Sequence, residues 1–348
     1  MSIINLGIIG GGQLGSMLSN AAKKLNIRTT IYCDDVEAPA QNFCDEFIYG
    51  EYNNKTKILE FAKKVQVITY EFENIPFETL NEVNKIKSVL PKPSVNRLIQ
   101  HRLAEKDFIN KLNIRTTRYV DIEKKSDIET LGDFLPGILK TTTMGYDGKG
   151  QYPIKKIDDL NELNIDFSKG YILEKLVKLK KEISVIITRF KKNEYEIYEP
   201  IENNHQDQIL KESKIPAEIN KKILDQSKDW AIRIAEELKY IGTLCVEFFI
   251  DKNDNLYVNE IAPRVHNSGH LTINAYNVSQ FENHIRAVCS LERIPLKKLH
   301  NAKMLNLIGN QIEPYRKNLK LNKNEFFFDY LKKEIKEKRK MGHLTTLI

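Results

Sequence analysis

Two short stretches, Val246-Glu247-Phe248-Phe249-Ile250 and Tyr257-Val258-Asn259-Glu260-Ile261, decide the fold of this chain. Both are rich in β-branched and aromatic residues, and the polar residues 251–255 between them are typical of a turn. The pattern therefore predicts a β-hairpin. Pairing about the turn places Glu247 directly opposite Glu260 on one face, where two like charges destabilise an otherwise apolar hairpin.

A divalent cation bound between Glu247 and Glu260 would remove this conflict. Magnesium binds one or two protein carboxylates and completes its octahedron with substrate phosphates, and manganese can substitute for it. Asn259 adds an oxygen beside the pair, and the same register sets Ile250 opposite Tyr257. The hairpin therefore favours a magnesium site. The alternative is a glutamate that points to solvent or meets a lysine.

A glycine-rich segment at 145–151, Gly-Tyr-Asp-Gly-Lys-Gly-Gln, follows an apolar strand that ends at Lys140. So many glycines exclude a helix and disfavour a strand. Exposed N–H groups and Lys149 suit a loop that closes over a polyphosphate and excludes water. A solvated turn is the alternative. It is disfavoured because a strand-end lysine and a carboxylate hairpin accompany the loop.

The N-terminal region alternates strands at 3–9, 28–33 and 67–70 with helices at 13–25, 55–64 and 77–86. This alternation predicts a doubly wound parallel sheet. The turn at 10–15, Gly-Gly-Gly-Gln-Leu-Gly, contains G-x-G-x-x-G, and Asp34 and Asp35 follow the second strand. Taken alone, these features are typical of a dinucleotide site, so an NAD-dependent oxidoreductase is one hypothesis. A structural turn, or the same fold binding a different anion, remains open.

Composition narrows the class of protein. The 348 residues suit two or three domains, with 41% hydrophobic and 29% charged residues. Lys and Arg are interspersed with Asp and Glu, so the net charge of +7 favours phosphorylated small molecules over nucleic acid. The four cysteines are widely spaced, which predicts reduced thiols in a cytoplasmic protein. No apolar run reaches the roughly 20 residues that span a membrane.

The order of these features resembles the ATP-grasp superfamily and, within it, the 5-(carboxyamino)imidazole ribonucleotide synthetases of purine biosynthesis. The matching stretches are GIIGGGQLGSML (7–18), TYEFENIP (69–76), QHRLAEKDF (100–108), GYDGKGQ (145–151), EISVI (182–186), NEIAPRVHNSGHLT (259–272), SQFENHIRAV (279–288), MLNLIG (304–309) and RKMGH (339–343). They span nearly the whole chain, and the second and sixth are long and specific.

The resemblance implies an α/β ATP-grasp fold with three parts. These are an N-terminal pre-ATP-grasp domain at 1–97, an ATP-grasp region at 98–293 with a lid subdomain at about 115–178, and a small β-rich C-terminal domain at 294–348. It also implies the reaction. ATP phosphorylates bicarbonate to carboxyphosphate, which carboxylates the exocyclic amine of 5-aminoimidazole ribonucleotide and leaves ADP and phosphate.

Site residues are carried over from the resemblance position by position. Nucleotide contacts are implied at Arg102, Lys140, Gly145, Tyr146, Asp147, Gly148, Lys149, Gly150, Gln151, Glu174, Lys175, Leu176, Val177, Glu182, His205, Asn259 and Glu260. Ribotide or bicarbonate contacts are implied at Gln13, Leu14, Glu73, Tyr146, Asp147, Arg264, His266, Lys332 and Arg339. Magnesium is implied at Glu247 and Glu260, and catalytic roles at Lys149, Arg264, His266 and Lys332.

Three of these roles have a chemical argument or an open alternative. Arg264 can hold an anionic intermediate with two parallel hydrogen bonds, as lysine cannot. His266 is either an acid/base or only a hydrogen-bond donor. Lys332 belongs to a basic tail for which a solvated patch is the alternative interpretation.

The chain departs from the family pattern in four places. Residues 141–144 read Thr-Thr-Thr-Met where basic residues are expected, and Val265 replaces a proline. Residues 330–332 and 336–338 lack the usual glycine and the usual Pro/Gly turn. These differences question the phosphate contacts of the lid and the geometry of the tail.

The expected partners are ATP, bicarbonate and the aminoimidazole ribotide, without nucleic acid or membrane, in a homodimer. Three alternatives remain open. They are another ATP-grasp ligase such as a formate-dependent glycinamide ribotide transformylase or a biotin carboxylase, the NAD-dependent oxidoreductase, and an ATP-binding regulator without turnover.

Overall fold

The structure is a computed structural model that describes residues 3–143, 150–163 and 165–348. Across these residues the strands form a four-stranded parallel sheet, a four-stranded antiparallel sheet and a nine-stranded antiparallel sheet. Helices cover the sheets, which gives the α/β architecture that the sequence predicts.

The parallel sheet lies at the N-terminus. Its elements are β1 (Asn5–Ile9), α1 (Gln13–Lys24), β2 (Arg28–Cys33), β3 (Glu46–Tyr49), α2 (Lys55–Lys63), β4 (Val67–Tyr70) and α3 (Phe77–Asn84). The strand order is β3-β2-β1-β4, and neighbouring strands run parallel. Because parallel strands end at the same edge, the turn after β1 and the residues after β4 meet there.

The edge strand β3 is the one strand of this sheet that the sequence pattern does not predict. It has four residues, and all of them are partly or fully exposed. A short edge strand needs no continuous apolar run, so it gives little signal in the sequence. It is fixed instead by tertiary contacts such as the Asp45 carboxylate, which accepts the Thr29 N–H at 2.8 Å.

A pair of helices, α4 (Pro93–Ile99) and α5 (Arg102–Lys111), leads out of the parallel sheet. The ring of His101 caps α5 by accepting the Ala104 N–H at 3.4 Å. Residues at positions i, i+3 and i+4 of a helix share one face, so Arg102, Glu105 and Lys106 point the same way. All three contact strands of the other two sheets.

The small antiparallel sheet is the predicted lid region. Its elements are β5 (Tyr119–Ile122), α6 (Lys125–Glu129), β6 (Gly137–Thr141), β7 (Gln151–Ile154), α7 (Asp159–Glu162) and β8 (Tyr171–Lys175). The order is β5-β8-β6-β7, so β6 and β8 are the inner strands. Ile122, Leu139 and Leu173 are fully buried beneath the sheet.

The large sheet contains the rest of the chain. Its elements and covering helices are β9 (Leu179–Lys191), β10 (Glu194–Ile197), β11 (Ile201–Gln206), β12 (Ile209–Ile215), α8 (Lys221–Glu237), β13 (Gly242–Asp251), β14 (Leu256–Ala262), α9 (Thr272–Ala275), α10 (Gln280–Val288), β15 (Ala302–Ile308), α11 (Glu313–Lys317), β16 (Glu325–Asp329) and β17 (Lys340–Leu347). The order is β14-β13-β9-β11-β12-β15-β17-β16, with β10 paired to β9. The C-terminal strands therefore extend this sheet, because β15 pairs with β12.

The main core lies between the large sheet and helix α8. Trp230 of α8 is buried and packs near Phe248 of β13, with ring centroids 6.4 Å apart. Helix α8 begins at Lys221. The physical reason is Asn220, whose side chain accepts the Ile223 N–H at 2.9 Å and caps the helix.

The predicted hairpin exists as β13 and β14, and Glu247 lies opposite Glu260 as expected. The predicted pairing of Ile250 with Tyr257 is wrong, because Ile250 pairs with Leu256. The register shifts after Glu247, and Asn259 is the extra residue on β14. Such a bulge bends the strand and re-aims its side chains, which alternation in the sequence does not reveal.

In the part of the chain that the structure describes, none of the helices combines the length and apolar character needed to cross a membrane.

Candidate active site

The carboxylates of Glu247 and Glu260 lie at the centre of the candidate site. Burial raises the pKa of Glu247, but the hydrogen bond and charge of His266 outweigh it and lower that pKa to about 2. Desolvation is the largest effect that raises the pKa of Glu260, and the negative charge of Glu247 is the second. Opposite shifts of this kind are typical of two carboxylates that repel each other. The pair therefore keeps an electrostatic conflict that a cation would relieve.

Each carboxylate also has a cationic or polar partner. Arg102 Nη1 lies 3.3 Å from Glu260 Oε2, and His266 Nε2 lies 2.9 Å from Glu247 Oε1. These contacts are with an arginine and a histidine and not with a lysine, but the Glu260 side chain is 40% exposed, so it is partly open to solvent as the alternative interpretation expects. Behind the hairpin, the buried Glu105 accepts the Ile261 N–H at 2.6 Å. Helix α5 is thereby fixed to the strand that carries Glu260.

His266 is held in place by Gln280, the first residue of α10. The Gln280 side-chain amide accepts the His266 N–H at 2.9 Å and donates to the His266 carbonyl at 2.6 Å. Gln280 is fully buried, and a Cβ at Gly269 would lie 2.7 Å from its amide. Glycine at 269 thus makes room for the amide. The ring nitrogen Nδ1 of His266 contacts Ser268 Oγ at 2.8 Å, which orients Nε2 toward Glu247.

A second charged cluster lies where the lid sheet meets α5. Glu174 Oε2 lies 3.1 Å from Lys140 Nζ, and Glu174 Oε1 lies 3.2 Å from Lys106 Nζ. Thr117 Oγ1 donates to Glu174 at 2.9 Å. Burial raises the pKa of Glu174, but the Lys140 and Lys106 ammoniums outweigh it and lower the pKa to about 2. The predicted residues Lys140 and Glu174 are thus brought together.

The acceptor side of the candidate site consists of the residues predicted to contact the ribotide or bicarbonate, and they come from all three parts of the chain. Arg264 Nη2 lies 3.0 Å from Glu73 Oε2, which links β14 to the segment after β4. Lys332 Nζ donates to Gln13 Oε1 at 3.0 Å, which links the C-terminal strands to α1. Gln13 Nε2 also lies 3.5 Å from His270 Nε2. These predicted substrate residues therefore form one neighbourhood.

The first glycine turn is filled by the protein itself. Glu71 is buried, and its Oε1 accepts the Gly12 N–H at 2.7 Å. A Cβ at Gly10 would meet the same carboxylate oxygen at 2.8 Å. The place where a dinucleotide phosphate would approach this N–H is thus taken by a carboxylate. This geometry removes the support that the glycine turn gave to the NAD hypothesis.

The remaining nucleotide candidates are spread over two sheets. Glu182 Oε2 lies 2.7 Å from His205 Nδ1, so these two residues are neighbours on β9 and β11. Lys175, the last residue of β8, donates its N–H to the Arg118 carbonyl, and Leu176, the next residue, donates its N–H to the Pro136 carbonyl. Val177 follows in the connection to β9.

Several predicted positions lie at the margin of the site or beyond the described residues. Gly145, Tyr146, Asp147, Gly148 and Lys149 fall outside the described ranges. Gly150 accepts the Thr141 N–H at 2.9 Å, and Gln151 lies opposite Lys140. Leu14 is buried in α1, and Asn259 is the bulge residue. Arg339 donates to the Glu334 carbonyl at 3.1 Å, within the connection from β16 to β17.

Sequence reasoning missed Glu71, Glu105 and Gln280. Glu71 has a signal that could have identified it, since it directly follows β4 at the carboxyl edge of a parallel sheet, where ligands bind. Glu105 lies three residues after Arg102 on the same face of α5. Gln280 lies in one of the matching stretches, but only the folded structure shows that it contacts His266.

Comparison with known proteins identifies the family. Residues 3–100 match the ribonucleotide synthetase preATP-grasp domain, residues 107–281 the ATP-grasp domain, and residues 302–348 the phosphoribosylaminoimidazole carboxylase C-terminal domain. The N5-carboxyaminoimidazole ribonucleotide synthase of Bacillus subtilis (strain 168) is 38% identical over 344 residues, which cover 98% of this chain and 90% of that protein.

Solved structures agree with this assignment. The N5-carboxyaminoimidazole synthetase from Staphylococcus aureus complexed with ADP is 35% identical with a TM-score of 0.94, and the match covers 100% of this chain and 94% of that one. The N5-carboxyaminoimidazole synthase from Aspergillus clavatus in complex with ADP and 5-aminoimidazole ribonucleotide is 27% identical with a TM-score of 0.90, covering 99% and 94%. The chain therefore belongs to the N5-carboxyaminoimidazole ribonucleotide synthase family of ATP-grasp ligases, and it is an ATP-dependent enzyme.

Proposed function

We propose that this chain carboxylates the exocyclic amine of 5-aminoimidazole ribonucleotide with ATP and bicarbonate. The products are 5-(carboxyamino)imidazole ribonucleotide, ADP and phosphate. The observation that carries the proposal is the facing pair Glu247 and Glu260, with Arg102 on one side. On the other side, Arg264 lies two residues after the end of β14 and contacts Glu73. A nucleotide site and an acceptor site thus adjoin at one hairpin.

The first step is phosphoryl transfer from ATP to bicarbonate. A bicarbonate oxygen forms a bond to the γ-phosphorus, the bond to the β-phosphate oxygen breaks, and ADP leaves. Such transfer depends on positioning and charge neutralisation more than on covalent help from the protein. Arg102 and Lys140 would supply positive charge at the polyphosphate. The resemblance adds Lys149, which lies outside the described residues.

The second step is carboxyl transfer. The amine nitrogen of the ribotide attacks the carbonyl carbon of carboxyphosphate, the carbon–oxygen bond to phosphate breaks, and the amine loses a proton. Arg264 is placed to hold the carboxylate of the intermediate, since its guanidinium can form parallel hydrogen bonds. The His266 ring contacts Glu247 and can either orient this group or receive the proton.

Magnesium fits the residues that are present. The donor set offers two carboxylates and the amide oxygen of Asn259, and the pKa of Glu260 is raised by enclosure and by its like-charged neighbour. In the described part of the chain, no cluster of three or more His, Cys, Asp and Glu side chains is arranged for a metal. Bound magnesium, or manganese in its place, would neutralise phosphate charge, and substrate phosphates would complete its ligands.

The test is phosphate release from ATP with a panel of acceptors, each with and without bicarbonate. Full rate should require both bicarbonate and the aminoimidazole ribotide. Equal release with glycinamide ribotide and formate would contradict the assigned acceptor. Omitting magnesium should abolish this activity, and adding magnesium or manganese back should recover it. Unchanged turnover in excess chelator would remove the metal from the proposal.

The remaining parts of the proposal rest on the resemblance. They are the division of the chain at 97 and 293, the contacts of Tyr146, Asp147 and Arg339, the homodimer and the cytoplasmic location. Light scattering during size-exclusion chromatography tests the assembly, and a mass near 40.4 kDa, that of one chain, would contradict the dimer.

A further inference from the structure

The buried cluster around Glu174 contains one carboxylate and two ammoniums. Lys106 and Lys140 approach different oxygens of this carboxylate, at 3.2 and 3.1 Å. The side chains are 2% exposed for Lys106, 7% for Lys140 and 4% for Glu174. The cluster therefore carries one positive charge more than one carboxylate balances.

The two lysines differ in how firmly they are held. Lys106 belongs to helix α5, donates to Thr117 Oγ1 at 3.1 Å and lies 5.8 Å from the centre of the Tyr119 ring. Lys140 is the penultimate residue of β6, at the end of the strand that precedes the glycine-rich segment of the sequence. It also lies within electrostatic range of Arg102 and Glu260, which flank the proposed phosphate site. Lys106 is thus the structural partner of Glu174, and Lys140 is the partner that faces the nucleotide.

This asymmetry has a consequence for binding a polyphosphate. If Lys140 were the only partner of Glu174, moving its ammonium to a phosphate would leave a buried carboxylate without a counter-charge. Leaving a buried charge unpaired is strongly unfavourable. With Lys106 in place, Glu174 stays paired when Lys140 turns away, and the surplus positive charge becomes available to the phosphate.

We infer that Lys106 is a positioning residue for the nucleotide, which neutralises Glu174 so that Lys140 is free to bind a phosphate. This inference rests on the proposed function, since it takes Lys140 as a phosphate contact. It assigns Lys106 no contact with substrate. Its effect passes through Glu174, and it therefore disappears when Glu174 carries no charge.

The experiment measures the dissociation constant of magnesium-ADP by isothermal titration calorimetry for four proteins. They are the wild type, Lys106→Met, Glu174→Gln and the double variant. Lys106→Met removes the charge but keeps a long flexible side chain. It should weaken ADP binding at least tenfold, because Lys140 then stays with Glu174. The double variant should recover at least threefold of this loss, since the neutral amide introduced by Glu174→Gln no longer retains Lys140.

The outcomes separate this inference from the proposed function. Failure of the wild type to bind ADP would contradict the nucleotide site itself. Wild-type affinity in Lys106→Met, or a double variant as weak as that single variant, would overturn the role of Lys106 alone. The KM of the ribotide should stay within about twofold of the wild-type value in Lys106→Met. A general loss of structure would instead change the dissociation constant of ADP and the KM of the ribotide together.

Two further variants distinguish loss of the Lys106 charge from a folding defect. Lys106→Arg keeps the charge and should bind ADP within about threefold of the wild type, even where Lys106→Met is not recovered as folded protein. A tenfold loss in Lys106→Arg would contradict a purely electrostatic role. Lys303→Met is the matched control, because it removes a lysine from an exposed pair with Glu212 on the large sheet. It should leave the affinity for ADP unchanged.

Discussion

Glu71 and Glu174 are both buried carboxylates, but they are stabilised in opposite ways. Glu71, on the acceptor side, accepts a backbone N–H from Gly12, and the charges of Arg264 and Lys332 act to lower its pKa. Glu174, on the nucleotide side, lies within 3.2 Å of two ammoniums. Burial dominates at Glu71 and raises its pKa. At Glu174 the two lysines outweigh burial, and the pKa falls to about 2.

The difference fits the ligands proposed for the two halves of the site. The nucleotide half holds excess positive charge around a permanently ionised carboxylate, which suits a polyphosphate. The acceptor half uses a carboxylate to cap a glycine turn that would otherwise attract an anion. The same residue type therefore lies among surplus positive charge in one half and caps a backbone N–H in the other.

The largest expected effect comes from the hairpin that joins the two halves. Glu260→Ala should lower magnesium-ATP turnover by on the order of a hundredfold or more, as when a preorganised charge partner is removed from a transition state. Steady-state phosphate release measures the change. Circular dichroism and Glu212→Ala, which removes an exposed carboxylate from β12, provide the controls. Near-normal rates in Glu260→Ala would separate the hairpin from the chemistry.

The second prediction concerns the charge of Glu174. Glu174→Gln should destabilise the folded protein by roughly 3 kcal/mol near neutral pH, the equivalent of a pKa lowered from 4.5 to about 2. A lowered pKa stabilises the fold above the unfolded value of 4.5, and this gain disappears as pH falls toward 2. Urea unfolding at several pH values measures the difference.

The control for this measurement is Glu212→Gln, whose partner Lys303 is 48% exposed and whose ion pair is expected to contribute little. The free energies of unfolding of wild type and Glu174→Gln should approach each other as the pH falls below 4.5. If they moved further apart, the sign would contradict the prediction. It would show that the lysines do not stabilise the ionised carboxylate.

The third prediction tests the geometry of Arg264. Arg264→Lys should lower carboxylation about tenfold or more, because lysine cannot form two parallel hydrogen bonds to a carboxylate. The ratio of kcat to KM for the ribotide is the measurement. Arg286→Lys, in α10, is the matched control, since the Arg286 guanidinium contacts Glu282 one turn away and the Glu292 carbonyl. Equal activity of the two variants would contradict bidentate binding.

The smallest expected effect is a change in stability when Glu71, the buried carboxylate compared with Glu174, loses its charge. The raised pKa of Glu71 means that its ionisation opposes folding, so its contribution declines as pH rises above 4.5. Glu71→Gln keeps an acceptor for the Gly12 N–H and removes the charge. Relative to wild type, this variant should therefore gain stability from pH 5 to pH 8 in urea unfolding. A gain on acidification instead would remove the contrast between the two carboxylates.

Sequence reasoning predicts the features that depend on local pattern. Alternating apolar residues and a polar turn are enough to place Glu247 opposite Glu260. They do not indicate the bulge at Asn259, because inserting one residue leaves the apolar pattern of each strand intact. The resemblance indicates that Arg264 and Lys332 share a site, which the contacts with Glu73 and Gln13 support.

The residues that sequence reasoning missed act across long stretches of chain. Glu71 accepts an N–H from a residue 59 positions away, and Lys106 of helix α5 meets Glu174 of strand β8. Such contacts depend on packing, which local propensity does not encode. Gln280 is a similar case. Its side-chain amide accepts the N–H of His266 and donates to the carbonyl of His266, as the backbone of a neighbouring strand would.

The nine-stranded sheet has β14 at one end and β16 at the other. Arg264 follows the first of these strands and Lys332 follows the second, yet the charges of both act on Glu71. The sheet must therefore curl until its two edges approach the same turn. A ligand held there would join both edges, and strain on either edge would be transmitted to the other through the seven strand pairings between them.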